Sequence, residues 1–219
     1  MHSFTEENYL KTIYYLANRQ QSEVSTNALA EMTATKAASV TDMLRKLADK
    51  QLIHYKKYQG VRLTDEGERL ALQVIRRHRL WEVFLVEKLG FGWDAVHEIA
   101  EELEHIRSEE LVARLDTFLG HPQFDPHGDP IPTPTGQMPT TGYQKLSDVS
   151  VGEEVCLMGV LEHSTEFLQH LDHSNLTLGC RVTVREINVF DKSVLVQVER
   201  GRTVFVSYEV AKNLLVDSR

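Results

Sequence analysis

Along the first stretch of the chain apolar residues recur with a helical period: Tyr9, Leu10, Ile13, Tyr14, Leu16 and Ala17 share one face of a helix predicted over residues 5–19. Ser25 or Thr26 can cap a short second helix over 27–32, and after a turn around Thr33 to Thr35 a third helix runs through about Lys50. Alternation over 52–58, a Gln59-Gly60 turn signal and a return over 61–63 then predict a hairpin. Closely spaced helices followed by a hairpin make a winged helix-turn-helix.

The period lengthens after the hairpin. Thr64 caps a long helix over 65–89, with Asp65, Glu66 and Glu68 favourably placed at the positive end of its dipole. After the Gly90-Phe91-Gly92 break, residues 93–119 supply one or two further helices with Ala100, Leu103, Ile106, Leu111 and Leu115 as apolar positions. Residues 121–142 are rich in proline and glycine, which excludes a regular helix or a central strand and marks a linker. Beyond it, strands over 154–161, 180–187, 194–198 and 203–207 and a short helix over 166–171 predict a small antiparallel barrel of the SH3-like kind, with a sandwich as the alternative. The expected fold class is mainly α with a small β domain. It divides into residues 1–72, 73–120, the linker 121–142, and 143–219.

Composition adds limits. The 219 residues, 42% hydrophobic, can bury a core in more than one domain. No apolar run approaches the roughly 20 residues that span a membrane, and the start lacks a basic and an apolar signal region, so the expectation is a cytoplasmic protein with no membrane partner. Cys156 and Cys180 form no CxxC pair, which argues against a redox motif or disulfide framework.

Charge changes the picture more. The net charge is -8, yet residues 1–80 hold 13 Lys and Arg against 9 Asp and Glu. Within 36–62 stand Lys36, Arg45, Lys46, Lys50, Lys56, Lys57 and Arg62 against only Asp42 and Asp49. Such a concentration on a winged helix is the footprint of a double-stranded DNA contact. The front of the third helix would enter the major groove, making Ala37, Ala38, Ser39, Thr41 and Asp42 candidates for base edges. Lys36, Arg45, Lys46, Lys56, Lys57 and Arg62 would hold phosphates.

The candidate chemistry lies further on. His78-x3-Glu82 and His97-x3-Glu101-x2-Glu104-His105 place imidazoles and carboxylates at helical spacing. Nitrogen and oxygen donors without cysteine suit Mn2+, Fe2+ or Zn2+ rather than a thiolate site. The bland alternative is a solvated helix face.

Taken in order, TEENYLKTIYYL, YQGVRLTDEG, HRLWEVFLVEKLG, VHEIAEELEHIRSEELVARLDTFLG and DPHGDPIP resemble the diphtheria-toxin-repressor family of metal-dependent transcriptional regulators over the whole chain, closest to its three-domain manganese-responsive branch. The resemblance implies a homodimeric winged-helix repressor that binds a palindromic operator when metal is plentiful and controls metal-uptake genes. It also implies a helical metal-binding and dimerisation domain and an SH3-like, FeoA-like third domain. By this similarity Asn8, Glu101, Glu104 and His105 match the primary metal site, His78, Glu82 and His97 the ancillary site, and His163 and Glu166 two third-domain ligands. Iron-responsive members have cysteine at the place of Glu101 and methionine at that of Asn8. The loss of both sulfur donors favours Mn2+ as the effector, with Fe2+ as the alternative. Manganese-responsive members have aspartate in place of Asn8, and the short two-domain ones have glutamate in place of Lys11. Two other classes carry different signatures. A metallohydrolase would need an HExxH-like motif and an open coordination position, which this chain does not specify. A regulator of an organic ligand would bind its operator unchanged in chelator, and no organic substrate is expected here.

Overall fold

Helix α1 (Phe4–Gln20) begins with a reciprocal cap: the Ser3 backbone N–H donates to Glu6 Oε2 at 2.9 Å and the Glu6 N–H donates to Ser3 Oγ at 3.2 Å. This pairing satisfies two N–H groups that the first turn leaves without helical partners. The computed structural model describes residues 2–20, 23–56, 60–199 and 201–217. These residues sort into two compact units, the first made of Met1–His78, Glu101–Ala113 and Ile131–Pro139 and the second of Arg79–Ala100, Arg114–Pro130 and Thr140–Arg219.

In the first unit α2 (Thr26–Met32) starts at Ser25, whose hydroxyl accepts from the Ala28 N–H, and α3 (Ala37–Asp49) follows a four-residue turn. Ala34 takes a positive φ of 48° in that turn. Strands β1 (Ile53–Lys56) and β2 (Gly60–Leu63) pair antiparallel from Ile53↔Leu63 to Lys56↔Gly60 and form the wing. One core of Leu10, Ile13, Leu29, Leu44, Leu47 and Ile75, each fully buried, joins α1, α2, α3 and the start of α4 (Asp65–Leu89). The winged helix-turn-helix read from the sequence is present.

The helical segment after α4 resolves into α5 (His97–Leu103) and α6 (Glu109–Phe118). In the second unit a six-stranded antiparallel sheet has the order β3-β8-β4-β5-β6-β7. Its strands are β3 (Tyr143–Lys145), β4 (Glu154–Val160), β5 (Arg181–Ile187), β6 (Val194–Val198), β7 (Thr203–Val206) and β8 (Leu214–Asp217). Irregularities between Leu157 and Gly159 and between Val184 and Glu186 bend it around a core of Leu157, Leu168, Leu171, Val184, Val196 and Leu214, giving the SH3-like fold rather than a sandwich. Helix α7 (Thr165–Ser174) covers this core and is longer than the sequence suggested. Strands β3 and β8 and the single-turn α8 (Tyr208–Ala211) carry too few residues for a period to show. Both cysteines are free and half-buried.

Residues 121–142 hold neither helix nor strand, as their prolines and glycines require, yet much of the segment is packed. Asp125, His127 and Ile131 are buried. No helix among the described residues is long and apolar enough to cross a membrane.

Candidate metal centre

In the first unit the turn after α5 delivers Glu104 into the protein interior, where it is fully buried. A lone carboxylate there would pay a large desolvation cost, so it needs positive partners. Lys11 of α1 supplies one, with Nζ 2.7 Å from Oε1 and 2.9 Å from Oε2. His78 of α4 supplies another, its Nδ1–H donating to Oε2 at 2.7 Å. Burial alone would raise the Glu104 pKa, but the His78 hydrogen bond and the Lys11 charge outweigh it and hold the carboxyl below its ordinary value. Glu104 is therefore ionised.

Beside it, His105 Nδ1 donates to Glu7 Oε2 at 2.8 Å. The carboxylate can only accept, which places a proton on Nδ1 and leaves Nε2 on the side of Glu104, 3.9 Å from its Oε1. Glu7 is held in turn by Arg107 Nε at 3.1 Å and Arg77 Nη2 at 3.4 Å, and the Phe4 ring stacks on His105 at 4.5 Å. Arg77 also donates to the backbone oxygen of Glu104. Glu101 is exposed, one carboxylate oxygen lying 3.5 Å from Lys11 Nζ. Of the primary set, Glu101, Glu104 and His105 thus lie close to α1, while Asn8 of α1 is exposed. Carboxylates and an oriented imidazole, with no sulfur, fit a hard first-row divalent ion.

Of the ancillary set, Glu82 stands one turn beyond His78 on α4. In the second unit Glu82 is buried and His97 Nδ1 lies 3.5 Å from its Oε1. The other oxygen, Oε2, faces His127 Nδ1 at 3.8 Å. His163 is half-buried with its ring stacked on His127 at 4.8 Å, and burial pushes its pKa down, whereas Glu166 is exposed at the start of α7.

On α3, Ala37, Ala38, Ser39, Asp42, Arg45 and Lys46 are exposed and Thr41 is half-buried, its hydroxyl donating to Ala37 O at 2.9 Å. Lys36 and Lys56 are exposed. Arg45 pairs with Asp42 at 3.3 Å and Arg62 with Glu23 at 2.9 Å, contacts weak enough in water for phosphates to compete with them. Lys46 reaches the buried Glu6 at 3.1 Å. Lys57 lies outside the described residues.

Residues 1–61 match the family described as iron dependent repressor, N-terminal DNA binding domain, residues 64–133 match iron dependent repressor, metal binding and dimerisation domain, and residues 144–218 match the FeoA domain. The chain belongs to the iron-dependent, or diphtheria toxin, repressor family. The iron-dependent repressor IdeR of Mycobacterium tuberculosis is 30% identical over 194 residues, covering 82% of this chain and 83% of its own. The diphtheria toxin repressor of Corynebacterium glutamicum is 29% identical over 192 residues with the same coverage. A solved structure described as a manganese-dependent transcriptional repressor in complex with manganese has a TM-score of 0.88 and 37% identity, covering 98% of this chain and 100% of that one. The family and these relatives are metal-dependent transcriptional repressors rather than enzymes.

Two features of this repressor, Glu7 and the Asp125–His127 pair, escaped the sequence reading. Glu7 is the carboxylate that orients His105, although Asn8 next to it drew the attention. Lys11, singled out in the sequence only as the place where the short members have glutamate, stands in the donor cluster as an ammonium against Glu104. Asp125 and His127 are buried beside Glu82, inside a segment read as a linker. The run Asp125-Pro126-His127-Gly128-Asp129, with its histidine between two aspartates, was the available signal.

Proposed function

We propose that this chain is a Mn2+-activated repressor that binds a palindromic operator as a homodimer and controls metal-uptake genes in the cytoplasm. The buried Glu104 carboxylate carries the reading. It is ionised, faces the ammonium of α1, and adjoins the free Nε2 of His105, so positive charge at this point ties the reading head's first helix to the turn after α5. Glu101, Glu104 and His105 would hold the ion, with Asn8 as the α1 donor of the resemblance. When bound, the ion supplies a divalent charge that these donors share. His78, Glu82 and His97, with His163 and Glu166, form the ancillary set. The functional division in this proposal is 1–72, 73–120, 121–142 and 143–219.

The chain's own groups do the rest. Glu7 holds the His105 tautomer, and Lys36, Arg45, Lys46, Lys56, Lys57 and Arg62 face phosphates while Ala37, Ala38, Ser39, Thr41 and Asp42 face base edges. A differential affinity of about 1–3 kcal/mol between the two states of the protein is enough to switch DNA binding. The oxygen-rich donor set and the manganese-bound solved relative support Mn2+ over Fe2+.

The test is a fluorescence-anisotropy titration of metal-stripped protein on a family-type palindromic duplex at fixed salt, with Mn2+, anaerobic Fe2+ or chelator. Binding at lower Mn2+ than Fe2+, and none in chelator, is expected. Equal binding in chelator would overturn metal activation, and preferential activation by Fe2+ would replace manganese with iron.

A further inference from the structure

We infer that Glu23 is a brake on DNA binding: its carboxylate occupies the Arg62 guanidinium on the wing, and a DNA phosphate that takes Arg62 must displace it. On the reading that this wing meets DNA, on which the inference rests, Glu23 and His54 join that face. Arg62 Nε donates to Glu23 Oε1 at 2.9 Å, with the two side chains 69% and 39% exposed. Exposed ion pairs are weak when both side chains are free to wander, because water screens them and ordering them costs entropy. Here the backbone fixes the pair.

Just ahead of α2 the chain runs beside the wing as a short third strand. Val24 and Val61 form an antiparallel bridge with both hydrogen bonds made, Val24 N–H to Val61 O at 3.1 Å and Val61 N–H to Val24 O at 2.9 Å. One step along this register places Glu23 across from Arg62. On the other side of Arg62, β1 places His54 directly opposite it. Glu23, Arg62 and His54 therefore form one cross-strand row, with Lys56 two residues along β1 on the same face. Gly60 permits the close approach: its φ is +97°, and a Cβ there would stand 2.8 Å from Glu23 Cβ and 3.2 Å from Val24 O. Val24 and Val61 are buried, so the backbone that carries Glu23 leaves the wing only if the core opens.

Glu23, His54, Lys56, Gly60 and Arg62 line a cleft of about 290 Å³. Its walls bring together an imidazole, an ammonium and a guanidinium, donors that suit a phosphate, and one carboxylate that repels it. The carboxylate acts in two ways. It engages Arg62 Nε, a donor that a phosphate oxygen would use, and it cancels one positive charge in the field that draws DNA to the wing. A phosphate carries no base identity, so the brake acts on every DNA sequence alike. It lowers the hold of the concentrated positive charge of residues 36–62 on arbitrary DNA, and discrimination falls to the base-edge contacts of α3.

The experiment is fluorescence anisotropy of the full-length protein at saturating Mn2+, on a family-type palindromic duplex and on a scrambled duplex of the same length, over a series of salt concentrations. Glu23→Gln keeps the shape of the side chain and removes its charge. It should bind both duplexes about three- to tenfold tighter than the parent at the lowest salt. Its plot of log affinity against log salt should steepen by about 0.9, the contribution of one further phosphate. Arg62→Gln should cost more affinity in the Glu23→Gln background than in the parent, because only there is Arg62 unengaged before DNA arrives. Equal or weaker binding, an unchanged slope or additive losses would overturn the brake, and so would tightening on the palindromic duplex alone, which would make Glu23 a reader of bases. Glu23→Ala should reproduce the tighter binding and the steeper slope even if the glutamine variant misfolds, and a parent-like slope in it would equally overturn the brake. Failure of metal activation would look different, with parent and variants alike indifferent to chelator while the effect of Glu23→Gln persists. Absence of binding to either duplex by all of them would remove the DNA reading and the brake together.

Discussion

The Lys11 ammonium sits 2.7 Å from Oε1 and 2.9 Å from Oε2 of Glu104, two residues 93 positions apart. A cation of the chain itself therefore occupies the carboxylate that the primary metal site needs. Lys11→Met removes the charge and keeps most of the stem, so Mn2+ should bind at least about tenfold tighter by calorimetry, given a Coulomb interaction of about 4 kcal/mol between unit charges 4 Å apart at intermediate dielectric. The metal-free variant should be less stable by about 3–5 kcal/mol, the usual cost of leaving a buried charge without its partner. Weaker Mn2+ binding would mean that Lys11 positions Glu104 rather than competing for it.

Glu7 decides which nitrogen of His105 is free. Glu7→Gln can present its amide nitrogen rather than an acceptor to Nδ1, and partners of this kind change metal affinity by about 10–100-fold. We expect weaker Mn2+ binding and a rightward shift of metal-dependent anisotropy, with helix content by circular dichroism unchanged. An affinity equal to the parent, with loss in Asn8→Ala instead, would transfer the α1 role wholly to Asn8.

Acid stability should report on Glu6. This side chain is 1% exposed, and although burial opposes ionisation, hydrogen bonds from Lys50, the Ser3 backbone and Lys46 hold its pKa at about 2 against an ordinary 4.5. A folded pKa below the unfolded one adds stability that is complete above pH 4.5 and disappears as pH falls from 4.5 to 2. Unfolding free energies from denaturant titration of the parent and Glu6→Gln should differ by about 1–3 kcal/mol at pH 7. The gap should close across that acid window, and a gap independent of pH would show that the carboxylate charge is not what matters.

Gly128 ties the Asp125–Asp129 turn to the sheet. Its φ is +84°, a Cβ there would stand 2.0 Å from the Met158 carbonyl oxygen, and the Val160 N–H donates to His127 O at 3.0 Å. Gly128→Ala combines left-handed strain with a backbone clash and should lower stability by about 2 kcal/mol or more, read as an earlier thermal transition. An unshifted transition would mean the turn is not packed on β4 in solution.

The wing, the three helices before it and the long α4 were legible because hydrophobic period, caps and turn residues are local and act within a few residues. The donor types were legible too, since ligand chemistry belongs to the side chain: histidines and carboxylates without sulfur point to a hard divalent ion wherever they lie. Packing decided which atoms meet. Nothing periodic links Lys11 to Glu104 or Glu7 to His105, and only the fold of the first unit, by burying Glu104, forces a distant ammonium and imidazole onto it. The prolines and glycines of 121–142 reported correctly that no helix or strand forms, because they speak of backbone hydrogen bonding. They say nothing of burial, so Asp125 and His127 became visible as partners of Glu82 only once the chain had folded around them.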